Sequence, residues 1–370
     1  MLNSAAPLPS RVADETGALW TITRAWPGRD STVTFEASSP LAPHVRGGSS
    51  SAETGIVLAP LAHDSRLPAL ERLAADGDVV VHRPGRRAVV RHSDGTRFTK
   101  VVRPGRAGAV LDSARQGELF AVAFRVPAIL DSSADSVQFE AISGRTLLAF
   151  GADPSVDAAS WALAWAAWST AWTTTIGNPP RASATLPTGT APVHTAGHEA
   201  EVVRTWAAHA VRLVPSTTEA GLLGDCADRV AELLLRSAAD PLVTSHRDLH
   251  DKQLLWHPAD GLGLLDFDTA TRAEAALDLG NLAAHLRLRR RLGLWDAART
   301  NAALAVVRQA AETLGVDGRR LRAYETAARF RISCVYAYRP RWTDLARQLQ
   351  QELVRELVPG SPGAASPVHR

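Results

Sequence analysis

The 370-residue chain holds only two cysteines, Cys226 and Cys334. Two thiols in that length exclude a disulfide framework and point to a reducing compartment, the cytoplasm. Residues 1–11 carry neither a basic stretch nor an apolar one, so no secretory signal is read there. Neither sign of charge dominates: 41 Lys and Arg stand against 38 Asp and Glu, a net +3, too weak to argue for a nucleic-acid partner. Charge is missing altogether from 158–178, a length that raises a membrane span. Its Ala, Ser and Thr dilute the apolar character, and Trp161, Trp165, Trp168 and Trp172 recur at helical spacing, so it reads as a buried helix face with no membrane partner. Lysine is nearly absent, since Lys100 and Lys252 are the only two in the chain. Against such an arginine bias, a lysine marks a place that needs a compact point charge rather than a planar fork.

What the chain does have is concentrated in residues 244–268, from Thr-Ser-His-Arg-Asp-Leu-His-Asp-Lys-Gln to Gly-Leu-Leu-Asp-Phe-Asp. Apolar runs at 254–257 and 262–266 flank Pro258-Ala259-Asp260-Gly261, a pattern that predicts a hairpin. An antiparallel return brings Asp248 and Gln253, entering the hairpin, beside Asp266 and Asp268, leaving it. An acid able to accept a hydroxyl proton, an amide oxygen and a second acidic centre are the parts of metal-assisted phosphoryl transfer. A rival pattern is His246, Asp248 and His250, which alternate and on a strand would share a zinc-binding face; it leaves Asp266-Phe267-Asp268 without a role.

The series His246-x-Asp248, Gln253 and Asp266-Phe267-Asp268, followed by Leu277-Asp278-Leu279-Gly280-Asn281-Leu282, resembles the catalytic and metal-binding segments of the aminoglycoside phosphotransferase and choline kinase group. That group shares the protein-kinase fold, and the resemblance covers roughly residues 77–290. It implies an α+β, two-lobed architecture with a small antiparallel β N-lobe and a mainly helical C-lobe. It implies transfer of the γ-phosphate of ATP, or of GTP, to a hydroxyl of a small molecule. In these terms Asp248 is the catalytic base, Lys252 offsets charge on the transferring group, and Asp266, Asp268 and Gln253 hold Mg²⁺. Gln253 departs from the Asn usual in the group. His246 and Asp278 become scaffolding of the catalytic loop.

Upstream, β-rich runs at 79–83, 88–92 and 97–102, broken by Pro84-Gly85 and Asp94-Gly95, read as an antiparallel meander. Lys100 lies on its third strand, where the resembled group carries the lysine that holds the α- and β-phosphates. A helix over 107–124 then supplies Glu118 as the ion-pair partner for that lysine. The turn at 82–87 occupies the place of the phosphate-covering loop but lacks Gly-x-Gly-x-x-Gly. Gly85 lets the backbone approach a phosphate there, and Arg83, Arg86 or Arg87 neutralises it, with Arg86 taken as the contact. A strand over 136–142 leads to Ser143-Gly144-Arg145-Thr146-Leu147, which resembles the hinge of the group, with backbone at Glu140 and Ile142 facing adenine.

The expected organisation is an extension at 1–76 packed on the small lobe, an N-lobe at 77–143, a helical C-lobe at 144–358 and a disordered tail at 359–370. Within the extension, strands are expected at 32–37 and 55–59, a Gly- and Ser-rich loop at 47–51 and a helix at 67–75. In the C-lobe, a loop is expected at 177–195 and helices near 198–214, 220–238, 277–292, 296–314, 318–338 and 342–357. Between residues 281 and 345, thirteen arginines face five carboxylates, an excess of eight positive charges. That balance opposes a polycationic aminoglycoside and favours a neutral or acidic hydroxyl compound. Two readings from other classes stand beside this one: a nucleotide-binding pseudokinase acting as a partner subunit, and a zinc hydrolase built on His246, Asp248 and His250. No oligomeric state is implied.

Overall fold

In the computed structural model, which describes residues 8–28, 31–177, 192–214, 216–236 and 239–359, strands come first. β1 (Arg11–Ala13), β2 (Leu19–Pro27), β3 (Val33–Ser38), β4 (Val45–Ser51) and β5 (Gly55–Leu58) form an antiparallel sheet in chain order. Trp20 and Ile22 alternate into its core with Val33, Phe35 and Ala37, the period of two of a half-buried sheet. The segment 47–51, expected as a loop from its glycine and serine content, is β4. Close approach explains the composition: a Cβ on Gly47 would lie 2.7 Å from His82 Nδ1, and one on Gly48 2.3 Å from the Phe35 ring.

Next come α1 (Ala69–Ala74), β6 (Gly77–Arg83), β7 (Arg87–His92), β8 (Arg97–Val102), α2 (Ala107–Gly117) with a 3-10 turn at Glu118–Phe120, β9 (Ile129–Ser132) and β10 (Ser136–Glu140). The second sheet runs β6-β7-β8-β10-β9, antiparallel throughout. Val101 and Val102 point to opposite faces, so the sheet is covered on both. Leu67 and Leu70, in and before α1, pack with Val101, while Val110 of α2 packs with Val102 and Val137. By packing, α1 belongs to this second sheet rather than to the first. β9 is exposed along its length and has no apolar pattern to announce it.

After β11 (Arg145–Thr146) the chain is mainly helical: α3 (Leu147–Ala152), α4 (Ala158–Gly177), α5 (Ala196–Val211) and α6 (Thr217–Leu235). Four short strands, β12 (Leu242–Ser245), β13 (Leu254–His257), β14 (Gly261–Leu264) and β15 (Thr271–Glu274), precede α7 (Ala275–Arg291), α8 (Ala297–Thr313), α9 (Gly318–Ala337) and α10 (Thr343–Leu357). The expected loop at 177–195 and tail at 359–370 lie for the most part outside the described residues. Trp161, Trp165, Trp168 and Trp172 are buried along α4 with Phe120, Phe124, Phe150 and Trp295. No helix among the described residues is long and apolar enough to cross a membrane.

The first sheet touches both halves of the molecule, although packing on the small lobe alone is expected. On one side β3 and β4 lie against β6, where buried Glu36 accepts the His82 N–H at 2.8 Å. On the other, Tyr338 is buried in the sheet's own core, partly buried Trp206 and Leu213 pack against it, and β2 meets the 3-10 turn Pro340–Trp342.

Charge buried in the helical half is paired. Glu274, at the start of α7, takes the Arg320 guanidinium through both oxygens and accepts the Tyr324 hydroxyl at 2.9 Å. Replacing Arg320 with Met leaves that carboxylate buried without its cation, at a cost of about 3–5 kcal/mol. The expected result is a lower urea midpoint for Arg320→Met at an unchanged slope.

Candidate active site

Between β12 and β13 the chain is a loop, with Arg247 at a φ of 65°. A non-glycine residue there costs about 1–2 kcal/mol, and Asp278 in the first turn of α7 supplies the restraint. Its Oδ2 accepts the His246 N–H at 2.8 Å and its Oδ1 the Arg247 N–H at 2.7 Å. Burial pushes the Asp278 carboxyl up from its ordinary value, opposed by His246 and these two N–H groups. His246 is held through both ring nitrogens: Nδ1 accepts the Asp248 N–H at 3.3 Å, and Nε2 donates to the Leu265 carbonyl at 2.7 Å. The bond to the Leu265 carbonyl places a ring proton on Nε2.

That geometry removes the zinc face of His246, Asp248 and His250. The segment is not a strand, and His246 turns its ring toward Phe120 and Phe267, with centroids 6.2 and 5.4 Å away. Asp248 instead leaves 41% of its side chain exposed. His250 lies 3.9 Å from it but stays neutral, because burial, then Arg289, His246 and Lys252, outweigh the pull of Asp248 and bring its pKa down to about 4.

The hairpin forms as its turn demands, with β13 and β14 paired from Leu254–Leu264 to His257–Gly261. One step beyond that ladder the Leu265 N–H donates to the Gln253 carbonyl at 3.0 Å, which sets Gln253 opposite Leu265, the residue before Asp266. Asp266 adopts a φ of 60°, a second left-handed non-glycine residue in the site. Lys100 Nζ lies 3.3 Å from Asp266 Oδ1 and bonds Asp268 Oδ1. Arg87 bonds Asp268 Oδ2 and lies 3.7 Å from Asp266 Oδ2. Burial raises the Asp266 carboxyl, but Lys100 and Arg87 outweigh it and hold the pKa at about 2. Two carboxylates held together at the end of the hairpin are hard donors of the kind Mg²⁺ takes, so Asp266 and Asp268 fit that ion, and Gln253, opposite Leu265, carries an amide oxygen of the same donor class.

Two sequence assignments change. Glu118 is exposed on the 3-10 turn, and the carboxylate partners of Lys100 are Asp266 and Asp268 rather than Glu118. α2 stops at Gly117 because it meets Phe267 there; a Cβ on Gly117 would lie 2.4 Å from that ring. Arg86 is exposed at the turn, and Arg87 is the arginine that reaches the acids. Strand register holds the signal: Val89 pairs with Lys100, and Arg87, two residues away, shares their face. Arg83 stacks over Trp26 of β2 at 5.2 Å. At the hinge, the Ala141 N–H donates to the Thr96 carbonyl at 2.8 Å, while the Ile142 N–H has no partner among the described residues. The Ile142 side chain rests on β14, where a Cβ on Gly263 would lie 2.6 Å from it. Glu140 ends β10 with an exposed side chain.

Farther along the same loop, Asp251 holds Arg289 through two bonds of 2.8 Å. Lys252 follows it, its pKa brought down to about 8 by the protein crowding its ammonium and by the charges of Arg289, Arg24 and Arg339. A cavity of about 440 Å³ opens beside the loop, lined among others by Arg247, His194, His198, Glu201 and Trp206. The α5 residues in it carry no sequence signal beyond helical amphipathicity. The arginine excess of the C-terminal helices is reduced by acids outside that stretch, since Asp251, Glu274, Glu352 and Glu356 pair with Arg289, Arg320, Arg291 and Arg329. Arg339 and Arg341 lie over Tyr336 and Trp342, at 4.2 and 4.8 Å, with no carboxylate partner among the described residues.

Solved structures share this arrangement of sheet, hairpin and helices. An amicoumacin kinase bound to AMP-PNP, Ca²⁺ and Ami superposes with a TM-score of 0.55 at 11% identity, over 79% of this chain and 94% of that one. The GDP and kanamycin complex of an APH(2'') enzyme gives 0.50 at 16% identity, over 75% and 91%. Choline kinase LicA from Streptococcus pneumoniae gives 0.49 at 12% identity, over 77% and 95%. No curated protein matches significantly. The fold is protein-kinase-like, α+β, with antiparallel sheets and a helical portion. The model of the phosphotransferase enzyme family matches residues 80–324, a span that runs from β6 through Lys100, the catalytic loop and the hairpin into α9, and the chain belongs to that family.

Proposed function

We propose that the protein transfers the γ-phosphate of ATP to a hydroxyl of a small molecule that is neutral or acidic. The observation that carries this reading is the convergence of Lys100 from the second sheet with Asp266 and Asp268 at the end of the hairpin, with the half-buried Asp248 near enough for its charge to act on Arg87. The cations that pair with these acids, Lys100 and Arg87, are the ones nucleotide phosphates would engage. Mg²⁺ bound by Asp266, Asp268 and Gln253 would neutralise charge on those phosphates. The Ile142 N–H supports a donor to adenine. Asp248 takes the proton of the acceptor hydroxyl as its oxygen bonds to the γ-phosphorus and the bond to the β,γ-bridging oxygen breaks, releasing ADP. Lys252, in the same loop, offsets charge on the group in transit. Neither the pseudokinase nor the zinc-hydrolase reading has an observation in its favour.

Asp248→Asn removes the base with little change of shape. It should lower kcat by about 10²–10⁴-fold while leaving nucleotide affinity nearly intact, and Asp266→Ala should instead weaken Mg-dependent nucleotide binding. ADP release measured against a panel of hydroxyl compounds, with calorimetry for the nucleotide, separates the two effects. Parental behaviour in both variants would remove this site assignment.

Lys100→Ala should raise the KM for ATP or lower kcat severely, and Lys100→Arg should not restore the parent, because a planar fork fits a point-charge site poorly. Full activity in the arginine variant would make Lys100 an ordinary strand residue. For the acceptor, Arg339 and Arg341, which have no carboxylate partner among the described residues, favour neutral or acidic compounds over cations. Kanamycin-type aminoglycosides should therefore fall well below a kcat/KM of about 10⁴ M⁻¹s⁻¹, as steady-state kinetics would read.

A further inference from the structure

The first sheet has no part in the chemistry above, yet it carries a cation to the acceptor side. β2 has a bulge between Ile22 and Arg24, and a bulge re-aims the side chains that follow it. Ala25 therefore turns into the sheet core, while Arg24 stays 39% exposed. Beside it, Tyr338 is buried in the sheet core and Pro340–Trp342 packs on β2, so Arg339, between them in the chain, is pinned against the same strand. The buried Nε of Arg339 has no hydrogen-bond partner among the described residues. Arg289, fixed by Asp251, and Lys252, on whose ammonium the charges of Arg289, Arg24 and Arg339 act, complete the group.

Apart from Asp248 itself, the carboxylates facing this cluster are Glu36, 3.6 Å from Arg24, and Asp251, on Arg289. Lys252 and Arg339 have no carboxylate partner among the described residues. Like charges brought together in a partly buried site raise its free energy unless an anion completes it. The mutual repulsion is felt at Arg339, whose pKa is lowered by burial and then by Arg24 and Arg289, against the pull of Tyr336.

We propose that the acceptor carries an anionic group, a phosphate or a carboxylate, bound by Arg339 and Lys252 together with Arg24, which makes the first sheet part of the acceptor site. This rests on Asp248 as the base and narrows the acceptor from neutral or acidic to acidic.

The test needs no turnover. Protein saturated with AMP-PNP and Mg²⁺, so that the nucleotide-phosphate subsite is filled, is titrated calorimetrically with inorganic phosphate, with acetate, and with glycerol as the uncharged control. At least one anion should bind and glycerol should not. Arg339→Gln should weaken that binding about tenfold or more, the loss of one charged hydrogen bond, and Arg24→Gln should weaken it several-fold, with AMP-PNP affinity unchanged in both. Arg24 is half-exposed on a sheet, which keeps the test readable if Arg339→Gln fails to fold. Binding of phosphate alone identifies a phosphorylated acceptor, and binding of acetate alone a carboxylated one. Absence of anion binding, or binding indifferent to both substitutions, overturns the proposal. Asp248→Asn should retain the anion, so an anion-binding protein that transfers no phosphate to any hydroxyl would sink the phosphotransferase reading and leave the anion site without its role in an acceptor, whereas a phosphotransferase that binds no anion would overturn this proposal alone.

Discussion

Asp278 is buried, and both of its oxygens are committed to the N–H groups of His246 and Arg247. Without them, Arg247 has no compensation for its left-handed backbone, and Asp248 would no longer be turned into the cleft. His246 passes the restraint on, since its Nε2–H reaches the Leu265 carbonyl and so ties the catalytic loop to the strand that ends in Asp266. Asn281, one helical turn after Asp278, adds a bond from Nδ2 to the Leu249 carbonyl at 2.9 Å. One helix start thus positions both acidic centres, and it does so with hydrogen bonds that are strong because they are buried.

A second constraint runs across the cleft. Lys100 and Arg87, on neighbouring strands of the second sheet, hold Asp266 and Asp268 at the end of the hairpin. These pairs are partly exposed and worth little as stability. Their importance is positional, because they hold two cations and two carboxylates together at one place, the arrangement on which the proposed nucleotide and metal site rests. Beneath them, Phe267 packs between Gly117 and the rings of Phe120 and His246, and Phe120 continues to Trp172 and the tryptophan ladder of α4. The acids are therefore carried on a rigid aromatic base, of the kind that keeps a site within a few tenths of an ångström of its working geometry.

The first sheet adds a feature that neither constraint requires. It binds the second sheet through Glu36 and His82 and the helical half through Tyr338, so it bridges the two parts. At the first of these ends Arg83 of β6 stacks on Trp26 of β2, and at the other β2 meets the turn Pro340–Trp342.

Much of this was legible in the sequence wherever the cause is local. The Pro-Ala-Asp-Gly reversal makes a hairpin whatever surrounds it, and antiparallel pairing then sets Gln253 opposite Leu265, the residue before Asp266. Lysine scarcity singled out Lys100, and the tryptophan period singled out the buried face of α4. Tertiary structure decided what depends on contacts between distant residues. Glycines that read as a loop at 47–51 are a strand because His82 and Phe35 press against them. The partner of Lys100 is the hairpin acid pair rather than Glu118, because Gly117 lets α2 close onto Phe267 and ends the helix there. Among three arginines in one turn, strand register placed Arg87 and not Arg86 on the face of Lys100. The reach of the first sheet to Tyr338 joins residues some three hundred positions apart, and no local preference of either segment encodes it.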